Sequence, residues 1–323
     1  MRSIRRVAVG AVASLCLAVS PLAARASAFY VFGDSLSDVG NVFLATSGAE
    51  PASPYFNGQF SNGPIWAQVL SNSLGFGPLN PSLAGGTDYA FGGATTSNPA
   101  TQSTLVPTLT QQVGMFLASV GSAPSSALYS VWIGSNDLLD ILGSGTTGPS
   151  ALAEAQAAAQ SEATDIGALI THGARDILVP LVPDLGVSPA ATSVGAGPAA
   201  TVLSKTYNAA LVADVDALGS VAGLDITYLD TFKLIDEAVS DPSSFGLTNV
   251  TAPCYVGPIT GGGSVCADPN EFLFWDMEHP TAVVHAKLAA TATTALLPEP
   301  GTAGVLATGL AVLAFMHRRR QRD

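Results

Sequence analysis

Five short runs rich in aromatic and β-branched residues, at residues 29–32, 88–91, 127–133, 175–182 and 225–229, alternate with stretches whose apolar residues recur at helical spacing. Such alternation constrains the fold more than any other feature of the chain. Neighbouring parallel strands need a crossover, a helix supplies it, and the resulting sheet is covered on both faces. The spacing predicts helices after Pro64 and over residues 105–120, 151–171 and 200–218, with a flexible loop at 143–149. The expected architecture is one three-layer α/β/α domain with a central, mostly parallel sheet of about five strands. No repeat or domain-scale linker interrupts residues 29–297.

Three of the runs stop at polar or glycine-rich turns. Residues 29–32 end in Gly33-Asp34-Ser35, 88–91 in Gly92-Gly93, and 127–133 in Gly134-Ser-Asn-Asp137. In open α/β sheets ligands collect beyond the carboxyl ends of strands, so a hydroxyl at Ser35 can meet a substrate there. An Asp-Ser pair can equally cap the next helix. Paired glycines bring bare backbone up to a neighbour, as an oxyanion-donating amide requires, or simply make a turn. Asn136 is open to the same two readings, because its side chain can mimic backbone hydrogen bonding.

A serine nucleophile needs a base, and the chain has four histidines. His317 lies in a basic tail, His172 precedes Gly173 at a helix end, and His285 falls in the helical run after Pro280. His279 is left, in Phe274-Trp-Asp-Met-Glu-His-Pro-Thr281. Asp276, three residues upstream, can share a helical-turn face with it and hold the tautomer that points Nε2 at a serine.

Taken together, these residues resemble the ordered blocks of the GDSL, or SGNH, family of serine esterases and lipases. Phe32-Gly-Asp-Ser-Leu-Ser-Asp-Val-Gly-Asn41 resembles the first block, and the second-block glycine aligns at Gly93, with Gly92 one residue away. Gly134-Ser-Asn-Asp137 resembles the third block, Pro183-Asp-Leu-Gly-Val-Ser-Pro189 the fourth, and Asp276 to Thr281 the fifth. Gln59 departs from the arginine that many members carry in the stretch after the first block. The resemblance implies a flavodoxin-like fold with Ser35 as nucleophile, His279 as base and Asp276 as its orienter. It also implies an oxyanion hole from the Ser35 and Gly93 amides and the Asn136 side chain. Glu278 is expected to point away from His279. No cofactor and no metal is implied. The function so implied is carboxylic ester hydrolysis through an acyl-enzyme. The alternatives are an acyltransferase or phospholipase of the same family, or a non-catalytic surface or matrix binding protein that keeps the fold.

The ends carry addresses. Arg2, Arg5 and Arg6 precede an apolar run over 7–22, and small-x-small sites fall at Ala24-Arg-Ala26 and Ala26-Ser-Ala28, so 1–28 reads as a secretory signal peptide. Residues 298–323 resemble a PEP-CTERM sorting tail of Gram-negative bacteria: Pro298-Glu-Pro300, a short apolar span and a basic stop. That resemblance implies a signal peptidase and an exosortase-type processing enzyme as partners, with transient membrane contact through the C-terminal segment. Localisation is then the periplasm, cell surface or extracellular matrix. Between the ends, residues 29–297 hold four basic and twenty-two acidic residues, a net charge of −18, which repels nucleic acid. Cys16 falls in the signal peptide, and Cys254 and Cys266 remain as an even pair in a Gly/Pro-rich loop, expected to be joined after export. Scarce cations argue for uncharged short- to medium-chain acyl esters over phospholipids, with Phe56, Phe60, Phe91 and Trp275 as candidate groove residues.

Overall fold

The computed structural model of the protein describes residues 26–97 and 105–297. At its centre four parallel strands, β1 (Phe29–Gly33), β2 (Leu128–Trp132), β3 (Asp176–Pro180) and β4 (Asp225–Leu229), pair in the order β1-β2-β3-β4. The fifth run is an extended strip along β1 rather than a full strand. Val31 N–H donates to Thr87 O (3.1 Å), while Tyr89 and Phe91 amides donate to Val31 O and Gly33 O (2.7 and 3.1 Å). Asp88 bridges both Val31 and Pro81, so the segment divides its pairing between two neighbours. With this strip included, the chain leaves β1 toward one edge of the sheet and leaves β2 toward the other. Two adjacent strands with diverging connections open a crevice at their carboxyl ends.

The nine helices among the described residues are α1 (Asn41–Ala45), α2 (Trp66–Leu74), α3 (Leu109–Val120), α4 (Ser135–Ser144), α5 (Gly148–Thr171), α6 (Pro189–Ser193), α7 (Gly197–Asp216), α8 (Thr231–Ser240) and α9 (Ala282–Leu296). Side chains alternate across the sheet with the two-residue period of a strand. Phe29, Val31, Leu128, Trp132 and Leu178 pack with α2, α8 and α9. Phe32, Tyr129, Val131, Ile177 and Val179 pack with α3, α5 and α7 on the other face. Two separate cores result, one on each face, which makes the three layers expected from the sequence.

Local chemistry moves some boundaries. Helix α3 begins at Leu109 rather than 105, because Thr108, just after Pro107, closes a capping box with Gln111: Gln111 N–H donates to Thr108 Oγ1 and Thr108 N–H to Gln111 Oε1. The loop expected at 143–149 shrinks to 145–147, since Pro149 occupies the first turn of α5, where a missing N–H is not needed.

Beyond α8 lie four short strands, β5 (Asn249–Pro253), β6 (Tyr255–Val256), β7 (Ser264–Val265) and β8 (Phe272–Phe274); β5 pairs β8 and β6 pairs β7. Cys254 and Cys266 are joined by a disulfide that closes the β6–β7 hairpin. Replacing both by serine is expected to cost about 3 kcal/mol through the freed unfolded chain, read as a lower urea midpoint under non-reducing conditions. The expected sorting tail, and the expected signal peptide up to residue 25, lie outside the described residues. Among the described residues no helix is long and apolar enough to cross a membrane.

Candidate active site

Three turns meet in the crevice. The first follows β1. Gly33 has φ +152°, and a Cβ there would stand 2.1 Å from Trp132 O, so only glycine lets β1 and β2 end this close together. Its N–H donates to Gln112 Oε1 (2.9 Å) and its carbonyl accepts from Gln112 Nε2 (2.8 Å), which ties the turn to α3. Asp34 then caps one helical turn: its carboxylate accepts Leu36 N–H, and its carbonyl accepts those of Ser37 and Asp38. Asp34 is thus the cap, and Ser35 stands on the capped turn, 9% exposed at the crevice. Burial pushes the Asp34 carboxyl up to about 7.

The second turn is fixed by the first. Asp38 accepts the amides of Gly40, Asn41 and Val42 and, across the loop, that of Gly92 (2.9 Å). Asn41 Nδ2 donates to the carbonyls of Asp88 and Ala90. The Gly92 amide is thus committed to a carboxylate. Gly93 has φ +82°, a conformation only glycine takes without strain. The third turn opens α4, where Asn136 Nδ2 donates one hydrogen to Ala94 O at 2.9 Å. A side-chain amide has two such hydrogens, so this bond fixes its plane and leaves the other donor.

Against these turns stands the segment after β8. Ser35 Oγ lies 2.8 Å from His279 Nε2, and His279 Nδ1 lies 2.8 and 2.9 Å from Asp276 Oδ2 and Oδ1. Asp276 and His279 share a tight turn rather than a helix face: Asp276 Oδ1 accepts the amides of Glu278 and His279, and Pro280 follows. Tyr55 Oη donates to Asp276 Oδ2 at 2.7 Å. Burial pushes Asp276 up, but His279 beside it, its hydrogen bond and the two amides outweigh that and hold the carboxyl at about 2. Burial likewise pushes His279 down, yet the Asp276 carboxylate and its hydrogen bond, with Glu278 and Asp34 nearby, raise it to about 9.

The remaining histidines are otherwise engaged. His285 is buried in α9, its Nδ1 accepting Trp66 N–H, and burial pushes it down to about 3. His172 caps the end of α5 beside Ala168 O, and His317 lies outside the described residues. Glu278 is hydrogen-bonded to Asp276 through its backbone amide, and it lines the same pocket as Ser35. Gln59 accepts Ile65 N–H at the start of α2, a structural task.

A cavity of about 40 Å³ opens at Ser35 and His279 and runs between Leu36, Trp132, Leu185, Ile235, Phe274 and Leu288. This corrects the expected groove. Phe60, Phe91 and Trp275 are buried core residues, with the Phe60 ring 5.3 Å from that of His279, and none of the four aromatic candidates lines the cavity. Tyr55, Gln112, Asp38 and Asn41 are the supports that the sequence left unmarked. Among the described residues no cluster of His, Cys, Asp and Glu could hold a metal ion.

The model of the GDSL-like lipase/acylhydrolase family matches residues 29–291. The chain is 28% identical to the phosphatidylcholine-sterol acyltransferase of Aeromonas hydrophila, over 83% of this chain and 89% of that protein. It is 32% identical to the esterase EstA of Pseudomonas aeruginosa, over 91% of this chain but only 50% of that protein, so it spans about half of that relative's length. Among solved structures, an acetylxylan esterase from Geobacillus stearothermophilus superposes with a TM-score of 0.44 at 14% identity, over 84% of this chain and 94% of that one. The chain belongs to the GDSL-like lipase/acylhydrolase family of enzymes.

Proposed function

We propose that this protein is an exported serine hydrolase that cleaves carboxylic esters by way of an acyl-enzyme. The observation that carries the reading is the unbroken line from Asp276 through His279 to Ser35, two contacts of 2.8 Å that end at the mouth of an apolar cavity. His279 Nε2 takes the Ser35 proton as Oγ bonds to the acyl carbon. The same proton passes to the departing alkoxide as the ester C–O bond breaks. Water, deprotonated by His279, then repeats the attack and frees the acid and Ser35. The oxyanion is held by the Ser35 and Gly93 amides and by the second Asn136 hydrogen, and one such donor is typically worth about 3 kcal/mol. Export is supported by the signal-like start of the chain and by a disulfide, which persists in oxidising compartments.

The small cavity favours short, uncharged acyl groups. Arg175, Lys205, Lys233 and Lys287 are the basic residues of the body, and none lines the pocket, so a phosphate clamp is poorly supplied. A panel of p-nitrophenyl esters of rising chain length, beside phosphatidylcholine and acetylated xylan, tests this. Acetate to butyrate esters are expected to be turned over fastest, and a faster phospholipid would overturn the assignment. Ile235→Ala, which deepens the cavity, is expected to raise the octanoate-to-acetate rate ratio about tenfold, as one or two methylenes in an apolar pocket do. An unchanged ratio in the folded variant would place the acyl chain elsewhere.

Acyl transfer is the second reading. It is favoured by likeness to the Aeromonas acyltransferase over most of that protein's length, and an acyl-enzyme can be taken by any alcohol that reaches it. Adding a long-chain alcohol to the ester assay distinguishes the two: a new ester product marks transfer, and free acid alone marks hydrolysis.

A further inference from the structure

We propose that Tyr55 is a positioning residue for the carboxylate of the triad, held in place by the disulfide-closed hairpin. The inference rests on the proposed serine-hydrolase mechanism. Tyr55 Oη donates to Asp276 Oδ2, the oxygen that also faces His279 Nδ1. Asp276 therefore has both oxygens engaged: Oδ1 with the amides of Glu278 and His279, Oδ2 with Tyr55, and both with the imidazole Nδ1 between them. A buried carboxylate with that many donors keeps its charge and one fixed plane, and the plane aims His279 at Ser35.

Tyr55 is itself caged. Its ring meets Phe60, Tyr255 and Trp275 edge-on at 6.5, 5.4 and 6.0 Å. Tyr255 follows Cys254 directly and stacks on Trp275, the residue before Asp276. The turn that carries Tyr55 is pinned to the same hairpin, because Ala52 N–H donates to Ile259 O, and a Cβ on Gly261 would stand 2.5 Å from Ser53 O. Disulfide, hairpin, tyrosine and carboxylate thus form one packed column that ends at the imidazole.

The variant that isolates the hydroxyl is Tyr55→Phe, which keeps the ring and its three edge contacts. Loss of one hydrogen bond to a charged group is expected to lower kcat about tenfold with KM little changed. Without the phenol, Oδ2 concentrates its charge on the imidazole, so the acid limb of kcat should move upward by about half a pH unit. The other groups that face the pair are Asp34, Glu278, Tyr255 and His285, and all are common to both proteins. The difference between the two profiles therefore reports Tyr55 alone. A merely structural role would lower the melting temperature or the number of sites titrated to completion by a fluorophosphonate, leaving the acid limb where it was.

The double variant Cys254→Ser/Cys266→Ser, alone and combined with Tyr55→Phe, completes the experiment. If the hairpin acts through Tyr55, the losses in kcat are sub-additive. Wild-type kcat and an unmoved limb in Tyr55→Phe overturn the proposal, as do fully additive losses for its hairpin part. Ser35→Ala, run in parallel, separates this from failure of the hydrolase mechanism itself, which would appear as activity surviving in that variant.

Discussion

Ser35→Ala should abolish ester hydrolysis and fluorophosphonate labelling together. Removal of a serine-hydrolase nucleophile costs on the order of 10⁶ in kcat, and what remains reflects binding and the oxyanion hole alone. The control is its near neighbour. Ser37 is buried, and its Oγ accepts the indole N–H of Trp66 at 3.3 Å, whereas the contact of His279 Nε2 is with Ser35 Oγ. Ser37→Ala leaves that indole donor unpaired in the core, a loss of about 1–3 kcal/mol in stability, but should retain most of the activity and full labelling. Activity lost in Ser37→Ala and kept in Ser35→Ala, with both variants folded, would reverse the assignment. Peptide mapping of the labelled protein locates the adduct directly.

The parts of this site that are legible in the sequence are those that sit at breaks in a pattern. Ser35 and Asn136 each follow a run of strand residues, so the end of the run marks a carboxyl edge where side chains reach a crevice. His279 is legible because histidines are few and an aspartate stands three residues before it. The supports are hidden for a different reason. Tyr55 lies 221 positions from Asp276 and belongs to a loop of serines and prolines with no periodicity, so nothing local points to its partner. Gln112 offers a faint signal, a polar residue between Leu109, Val113 and Phe116 on the apolar face of α3. The engagement of the Gly92 amide turns on Asp38, whose reach across 54 positions only the fold supplies.

The misplaced groove has the same origin. Aromatic residues near sequence blocks invite assignment to a substrate, but Phe60, Phe91 and Trp275 fill the cores that hold the turns in place. The cavity is built instead from Leu36, Leu185, Ile235 and Leu288, which stand on four separate segments and read locally as ordinary core. In strand count, the extended strip at 87–91 has the composition of a strand, yet it shares its pairing between β1 and Pro81. Composition sees the first property and is blind to the second.

Asp276→Asn should produce a defect whose size depends on pH in a definite direction. Asparagine keeps the shape of the turn, but its amide can present N–H to Nδ1 and favour the wrong tautomer, and such a change costs on the order of 10⁴ in kcat where the base is otherwise neutral. Only neutral His279 accepts the Ser35 proton, so wild-type activity should climb from pH 7 toward a plateau above about 9, the value to which Asp276 raises the imidazole. Without the carboxylate that support is gone and the acid limb should fall back toward the ordinary histidine value near 6.5. At pH 7 the wild type is then held about a hundredfold below its plateau while the variant is not, so the gap between them narrows about a hundredfold from pH 9.5 to pH 7. Stability runs with its own sign. The raised imidazole contributes fully below about 6.5 and loses its contribution as pH rises through about 9, whereas the depressed carboxyl contributes above about 3.8 and loses it as pH falls through about 2. The difference in melting temperature between wild type and Asp276→Asn should therefore be widest near pH 5 and narrow toward pH 9 as the imidazole contribution fades, while the contribution of the carboxyl remains. A ratio of activities that stays constant from pH 7 to 9.5, in a variant that still binds fluorophosphonate at Ser35, would show that Asp276 does not set the charge of His279.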